Sequence, residues 1–312
     1  TIQNWHWKYN TYASADKFIF LAFNESRCIG QYALIPYRLS SYGDTIQALL
    51  SLDSMIDPDY QGRRIFTELM NYARKELLNL KDPSITFINE NTFNIYTKQF
   101  NWKYVGNIPV YCRPLSLMQL RNGNKILYII LKPFSLIINS ISSEKNNISL
   151  DPINIFDLEI ERKCINADKL YSIGRTKEFL NWRYIQSPED YDCFKIMYKG
   201  NLIGYCVIKI EEKFGLKFAW IMDIFIEKKY ANFFHNVLNA ISIKYFLKSD
   251  FITSLLPNSY YKKYYLKSVF LKIPQVLFPH KFYFCTTINH SNQKDICNLE
   301  HWYMTWSLND VI

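Results

Sequence analysis

Trp7-Lys8-Tyr9 recurs as Trp182-Arg183-Tyr184, and each copy precedes an apolar run, a polar turn and a second apolar run, at 18–35 and again at 194–210. Such runs split by a short turn read as β-hairpins. Leu52-Asp53-Ser54-Met55-Ile56 with Tyr60 returns as Met222-Asp223-Ile224-Phe225-Ile226 with Tyr230, each ahead of a stretch of helical period. A strand at 85–88 that ends near Asn91 returns at 252–255, ending near Asn258. Partner spacings fall in order: 175 for Trp7 and Trp182, 174 for Gly30 and Gly204, 170 for Asp53 and Asp223, 167 for Asn91 and Asn258, 165 for Pro109 and Pro274. Chance matches would scatter, whereas small loop deletions leave a monotonic drift, so the chain reads as two copies of one unit. Each unit runs hairpin, strand, helix, strand, helix, strand, with helices at about 62–78 and 231–247 crossing between neighbouring parallel strands. That order predicts an α/β fold of two tandem domains, each a mixed central sheet flanked by helices, at 1–116 and 151–312, joined by a helical linker at 117–150.

A length of 312 residues suits two domains. With 49% hydrophobic and 21% charged residues, the chain can bury cores and is not a disordered polymer. A net charge of +9 suits a polyanionic partner: nucleic acid, an anionic membrane or a phosphate-bearing small molecule. The basic residues lie in ones and twos, with no zinc-finger or RNA-recognition signature, which argues against nucleic acid. Seven cysteines without a CxxC spacing predict reduced thiols and a cytoplasmic location, and five scattered histidines predict no metal site. The most apolar stretch, 126–138, contains Lys132 and Pro133 and falls short of the ~20 residues that span a bilayer. It is expected to be a buried or interdomain helix rather than a membrane-surface segment, with no stable membrane insertion. The missing initiator Met suggests a trimmed start.

The copies differ where the strand turns into the helix. The first reads Asp57-Pro58-Asp59-Tyr60-Gln61-Gly62-Arg63-Arg64-Ile65-Phe66-Thr67; the second reads Glu227-Lys228-Lys229-Tyr230-Ala231-Asn232-Phe233. Only the first places glycine and paired arginines where a helix begins, and a helix N-terminus offers unpaired N–H groups and a positive dipole end to an anion. Copy one is therefore the expected phosphate site.

These residues resemble the GNAT superfamily of N-acetyltransferases, whose acyl-CoA loop reads Q/R-x-x-G-x-G/A. Gln61 matches the first position, while Arg64 and Phe66 stand where the family has glycines. Because copy two shares the layout without the loop, the chain resembles a tandem-GNAT protein. Trp5-x-Trp7-Lys8-Tyr9, Tyr111-Cys112-Arg113-Pro114 closing the first unit, and His301 to Trp306 with Asp310 are similar to bacterial sugar N-acyltransferases of O-antigen synthesis. The resemblance implies transfer from an acyl-CoA, acetyl or 3-hydroxybutanoyl, to a nucleotide-linked amino sugar such as dTDP-3-amino-3,6-dideoxygalactose. It implies that Gln61, Gly62, Arg63, Arg64, Ile65, Phe66 and Thr67 hold the pyrophosphate, that main chain at Met55 and Ile56 holds the pantetheine, and that Asn89 and Asn91 touch the donor from the next strand. The tyrosine that many members use as general acid aligns with Thr97, beside Tyr96.

For a base, Asp53 and Glu90 are the candidates. Strand alternation puts Asp53 on one face with Leu49, Ser51 and Met55, towards the cleft, yet Asp223 at the matching place also allows a structural role. The acceptor is expected between the domains, with Trp5, Trp7, Trp182 and Tyr184 able to stack on a base or sugar, Lys8 and Arg183 able to meet a diphosphate, and Arg38 and Arg113 as looser candidates. The alternatives are a tRNA-dependent aminoacyltransferase of peptidoglycan cross-bridge type and a catalytically inactive acyl-CoA-binding module.

Overall fold

The computed structural model describes residues 2–11, 18–41, 44–77, 82–123, 125–141, 147–165, 170–274, 282–287 and 295–309; Asp310 lies outside them. The first unit comprises α1 (Ile2–His6) with a π turn at Trp7–Thr11, β1 (Phe18–Asn24), β2 (Arg27–Ser41), β3 (Asp44–Ile56), α2 (Ile65–Glu76), β4 (Ser84–Ile88), α3 (Glu90–Asn94) with a π turn at Ile95–Gln99, β5 (Lys103–Asn107) and β6 (Val110–Pro114). A connection follows with α4 (Met118–Gly123), α5 (Lys125–Ile141), β7 (Ile148–Pro152), α6 (Leu158–Ile165) and β8 (Ser172–Ile173). The second unit has α7 (Lys177–Leu180) with a π turn at Asn181–Ile185, β9 (Asp192–Tyr198), β10 (Asn201–Lys213), β11 (Leu216–Ile226), α8 (Phe234–Tyr245), β12 (Phe251–Leu255), α9 (Lys262–Lys267), β13 (Leu271–Lys272) and β14 (Tyr283–Thr286).

The duplicated α/β architecture expected from the repeat is present, including the parallel pairs β3–β4 and β11–β12. Beside each repeated aspartate the third strand carries a bulge: β3 shifts register against β2 between Gln31 and Ala33, and β11 shifts against β10 between Val207 and Ile208. The helices form where apolar side chains recur on one face; Leu69, Met70 and Ala73 of α2 are buried against the sheet, while Arg74 and Lys75 in its last turn complement the helix dipole.

Strand ownership departs from expectation. The 110–114 strand, expected to close the first unit, pairs with β12 and β13 in the second sheet, whose order is β13-β6-β12-β11-β10-β9-β7. Reciprocally, β14 lies between β4 and β5 in the first sheet, β1-β2-β3-β4-β14-β5. Each unit thus lends its last strand to the other, and a boundary at residue 116 follows neither sheet. A strand buried on both faces carries no pattern that names its sheet. Arg113 of β6, fully buried, is held by Asn239 and the Ser268 carbonyl of the second unit at 2.8 and 3.0 Å.

The exchange clamps two sheets over one shared core. From the first sheet come Ala33, Ile35, Leu50 and Leu52, from the second Tyr205, Val207, Trp220 and Met222, with Trp7 and Trp182 between them. The two indoles stack at 4.9 Å, and each donates its Nε1 hydrogen to the other's backbone carbonyl, at 2.8 and 3.1 Å. Helices α2 and α8 cover the outer faces of the two sheets, each over its own core.

The linker is not wholly helical: β7 joins the edge of the second sheet beside β9. Within α5, the stretch expected to be buried, Ile126, Ile129, Ile130 and Leu136 are exposed.

Candidate active site

Strands β3 and β4 pair only at Leu49–Ser84, Leu50–Ile85 and Ser51–Thr86. Beyond Ser51, β3 runs on to Ile56 while β4 ends at Ile88 and turns into α3, so the strands splay and, among the described residues, no strand pairs with the β3 edge from Leu52 to Ile56 on that side. Ser54 and Met55 are exposed there. An unpaired strand edge presents N–H and C=O groups able to hold an extended amide ligand by strand addition.

The end of β3 leads into the Pro58–Tyr60 turn and then α2. Gly62 has φ +76° and Arg64, the residue preceding α2, has φ +62° and ψ +9°, with no side-chain hydrogen bond capping the helix. The position where the family pattern has its central glycine is thus left-handed and occupied by arginine, at an expected strain of about 1–2 kcal/mol. The first main-chain bond of the helix is donated by Glu68 to the Arg64 carbonyl, so the preceding amides point outwards without an intrahelical acceptor. Arg63 and Arg64 are both exposed at this positive dipole end, an arrangement unfavourable by about 0.3–1 kcal/mol each unless an anion lies between the charges. Gln61 does not aim its side chain outwards: its Nε2 donates to the Ile56 carbonyl at 3.1 Å, bracing the loop. Arg63 donates to the Asp59 carbonyl at 3.1 Å and lies over the Tyr60 ring.

Across the splay, the wide turn after α3 brings the Tyr96 hydroxyl within 3.2 Å of Ser51 Oγ and 3.4 Å of Ser54 Oγ. Tyr96 is buried, which pushes its pKa up despite the pull of the Ser51 and Ser54 hydrogen bonds. Thr97, at the position aligned with the family's tyrosine, instead donates to the Phe93 carbonyl. A π turn adds a residue to the helical turn, here marked by Phe100 donating to the Ile95 carbonyl, and so offsets any spacing counted on a regular helix. In the sequence Tyr96 stands out only as the neighbour of Thr97; its hydroxyl is the one that reaches Ser51 and Ser54.

Asp53 corrects the alternation argument. Its φ is +48° at the bulge, so Ser51 and Ser54 share the Tyr96 side while Asp53 lies on the opposite face, where Lys8 Nζ (2.9 Å) and the Tyr9 hydroxyl (2.7 Å) both reach Oδ2. In the second unit Asp223 has an analogous pair of partners, Arg175 at 3.0 Å and the Tyr205 hydroxyl, and also accepts from the Ile224 N–H. Asp223 is fully buried; the Asp53 side chain is 26% exposed. One design is sealed and the other open to solvent.

The remaining candidates divide. Trp5 is 43% exposed and tilted against Tyr9 at 5.2 Å. Trp7 and Tyr184, expected to stack on a ligand, are buried in the shared core. Arg183 is also buried, donating to the Asn309 carbonyl and lying over the Trp7 ring, so it cannot meet a diphosphate without leaving that core. Arg38 is exposed near the far end of β2, paired opposite Gln47 and remote from the splay. Asn89 caps α3, accepting from the Thr92 N–H at 3.1 Å, and Asn91 is exposed on the first turn of that helix. Glu90 is exposed and accepts from the Tyr283 hydroxyl of the exchanged strand at 3.4 Å. Among the described residues no group of three or more His, Cys, Asp or Glu could hold a metal. A cavity of about 300 Å³ lined by Tyr32, Leu49, Met70, Asp82 and Trp102 lies towards the other end of α2 and includes none of the loop residues.

The second splay is closed by the chain itself. β11 and β12 also part after Ile221–Ser254, but Tyr303 donates to the Ile224 carbonyl at 2.7 Å and Met304 to the Pro257 carbonyl at 2.7 Å. Before α8 stands Phe233 with φ −89°, packed on Tyr198, in place of a left-handed residue.

Residues 2–105 match the family described as an acetyltransferase (GNAT) domain. No curated protein matches the chain by sequence. Solved structures share the fold at low identity: a GCN5-related N-acetyltransferase from Anabaena variabilis (14% identity, TM-score 0.57, covering 86% of this chain and 62% of that one) and the N-myristoyltransferase of Saccharomyces cerevisiae with bound myristoyl-CoA (10%, 0.60, 93% and 74%). A probable N-acyltransferase from Enterococcus faecalis is a third (9%, 0.57, 84% and 59%). This chain thus spans less than two thirds of the Anabaena and Enterococcus proteins. Its fold is that of tandem GNAT-like domains, and residues 2–105 are similar to the acetyltransferase (GNAT) domain.

Proposed function

We propose that the protein is an acyl-CoA-dependent N-acyltransferase whose acceptor is the amine of a nucleotide-linked amino sugar. The observation that carries the donor is the first unit's splayed β3 edge, bordered by a left-handed loop with the α2 helix-start amides and the exposed Arg63 and Arg64, against a second unit whose splay is filled by Tyr303. The N-myristoyltransferase neighbour, with its bound myristoyl-CoA, supports a CoA thioester. The acceptor reading rests on the exposed Trp5 ring tilted against Tyr9, whose hydroxyl reaches Asp53 together with Lys8, which offers a stacking surface and polar groups in one region, and on the +9 charge. The sugar pathway enters through the motif resemblance.

The pyrophosphate sits at the start of α2, and the pantetheine pairs with the β3 edge near Met55 and Ile56. The neutral amine attacks the thioester carbonyl; a C–N bond forms, and the oxyanion takes a main-chain N–H from that edge. As the C–S bond breaks, the sulfur takes the Tyr96 proton, which Ser51 and Ser54 are placed to help restore. The attacking nitrogen loses its proton to Asp53 through water, with Lys8 and Tyr9 holding that carboxylate in place. Glu90, at the other lip of the splay, is the second candidate base.

Thiol release from acetyl-, butanoyl- and 3-hydroxybutanoyl-CoA, with and without dTDP-amino sugars, tests the reading. Release that depends on the amino sugar is expected. CoA binding without release under any pairing would leave an acyl-CoA-binding module; release with other amines alone would overturn the acceptor.

A further inference from the structure

Helix α5 presents the wrong face to water. Ile126, Ile129, Ile130 and Leu136 are 76, 68, 56 and 59% exposed, while Ser135 is buried against the Leu115 carbonyl. At 100° per residue the four apolar side chains and Pro133 fall within roughly 120° of arc, flanked on one side by exposed Lys125 and Lys132. Met118 of α4 is 55% exposed and Arg121 is exposed beside it. The turn after α8 is tied to the same region: Gln119 donates to Asp250 Oδ1 at 2.8 Å, Ser116 to the Ser249 carbonyl at 3.2 Å, and this turn exposes Leu247 and Lys248, next to the exposed Lys244 in the last turn of α8. From 115 to 143 the sequence contains Arg121, Lys125 and Lys132 and no Asp or Glu.

We infer that α4 and α5 form an interfacial anchor that lies on an anionic phospholipid surface. A contiguous apolar stripe on a solvated helix marks an interaction face. The uniformly positive border selects a negative partner, and two copies meeting through this face would bring like charges together. Lying flat is what the element allows, because no helix among the described residues is long and apolar enough to cross a membrane. The border cations supply the attraction to anionic headgroups while the isoleucines enter the acyl boundary. This inference is independent of the acceptor proposed above.

Co-sedimentation of the full chain with phosphatidylcholine vesicles, with and without 30 mol% phosphatidylserine, tests it. Binding at least roughly tenfold stronger to the anionic vesicles is expected, falling about fivefold for each of Lys125→Gln and Lys132→Gln, and falling in 0.5 M salt. Ile126→Ser/Ile129→Ser/Ile130→Ser should lower binding by more than about tenfold with an unchanged circular dichroism spectrum. If that variant misfolds, the lysine variants and the salt series decide. Equal binding to neutral vesicles, no binding to either, or a wild-type dimer that the isoleucine variant converts to monomer would overturn the anchor.

Discussion

Arg64 is the most informative residue to change, because backbone strain and side-chain charge meet in it. Its φ of +62° costs a side chain about 1–2 kcal/mol, and glycine would relieve this while losing about 0.5–1 kcal/mol of unfolded-chain entropy, so the backbone change in Arg64→Gly should be stabilising by at most about 1.5 kcal/mol. Arg64→Ala keeps the strain and removes a cation from the dipole's positive end, so it should gain about 0.3–1 kcal/mol. Arg64→Glu also places an anion there and should gain about 0.6–2 kcal/mol. Donor binding should move differently. Loss of one solvent-screened phosphate contact at about 1 kcal/mol raises the acyl-CoA KM about fivefold in the Ala and Gly variants. The Glu variant adds repulsion and should lose more. Thermal melts in parallel with thiol-release kinetics read both quantities. If Arg64→Glu keeps the wild-type KM, or if KM simply tracks stability, the anion site at α2 is wrong.

Tyr96→Phe should lower kcat by about 10²-fold with a small change in KM, whereas Thr97→Val should leave kcat within about threefold; the reverse order would return the acid role to Thr97. Asp53→Asn should reduce kcat more than it reduces stability, about 1 kcal/mol for a partly exposed pair, while Asp223→Asn, which strands a buried Arg175, should cost about 3–5 kcal/mol; similar stability losses would make both aspartates structural. Burial raises the pKa of Tyr32, Tyr96, Tyr184, Tyr205 and Tyr303, so the folded state keeps protons that the unfolded chain releases. Their contribution is intact below the unfolded value of about 10 and is lost as pH rises through the folded values, so the melting temperature should drop above about pH 10; a flat profile to pH 11 would contradict that burial. Acidification acts on Glu227, whose pKa is lowered because Lys163 and Lys229 outweigh its burial; stability present above its unfolded value of about 4.3 should fall as pH drops through the folded one, and Lys163→Met should flatten that limb.

Repetition made the duplicated fold legible. A pattern that returns with drifting offset names its strands and helices twice, and the loop difference between the copies sets the first apart from the second. Alternation along a strand is a local rule, and it failed at Asp53, where a bulge turned the carboxylate to the other face. Nothing in the sequence separates Tyr96 from Thr97 beside it, and only the folded turn at Ile95–Gln99 brings the Tyr96 hydroxyl to Ser51 and Ser54. Trp7 and Trp182 were conspicuous in the sequence, but pattern alone does not separate an aromatic that stacks on a ligand from one that stacks on its own repeat.

The sequence by itself determined that the chain holds two related α/β units and that only one carries a glycine–arginine turn at a helix start, because both follow from periodicity and residue type. Tertiary structure decided the rest: which sheet receives β6 and β14, which splay stays open while Tyr303 fills the other, and which tyrosine faces Ser54. It also decided that the isoleucines of α5 meet solvent. These depend on non-local pairing and on what each side chain finds opposite it, and apolar runs alike in sequence carry no label for the partner they will bury against.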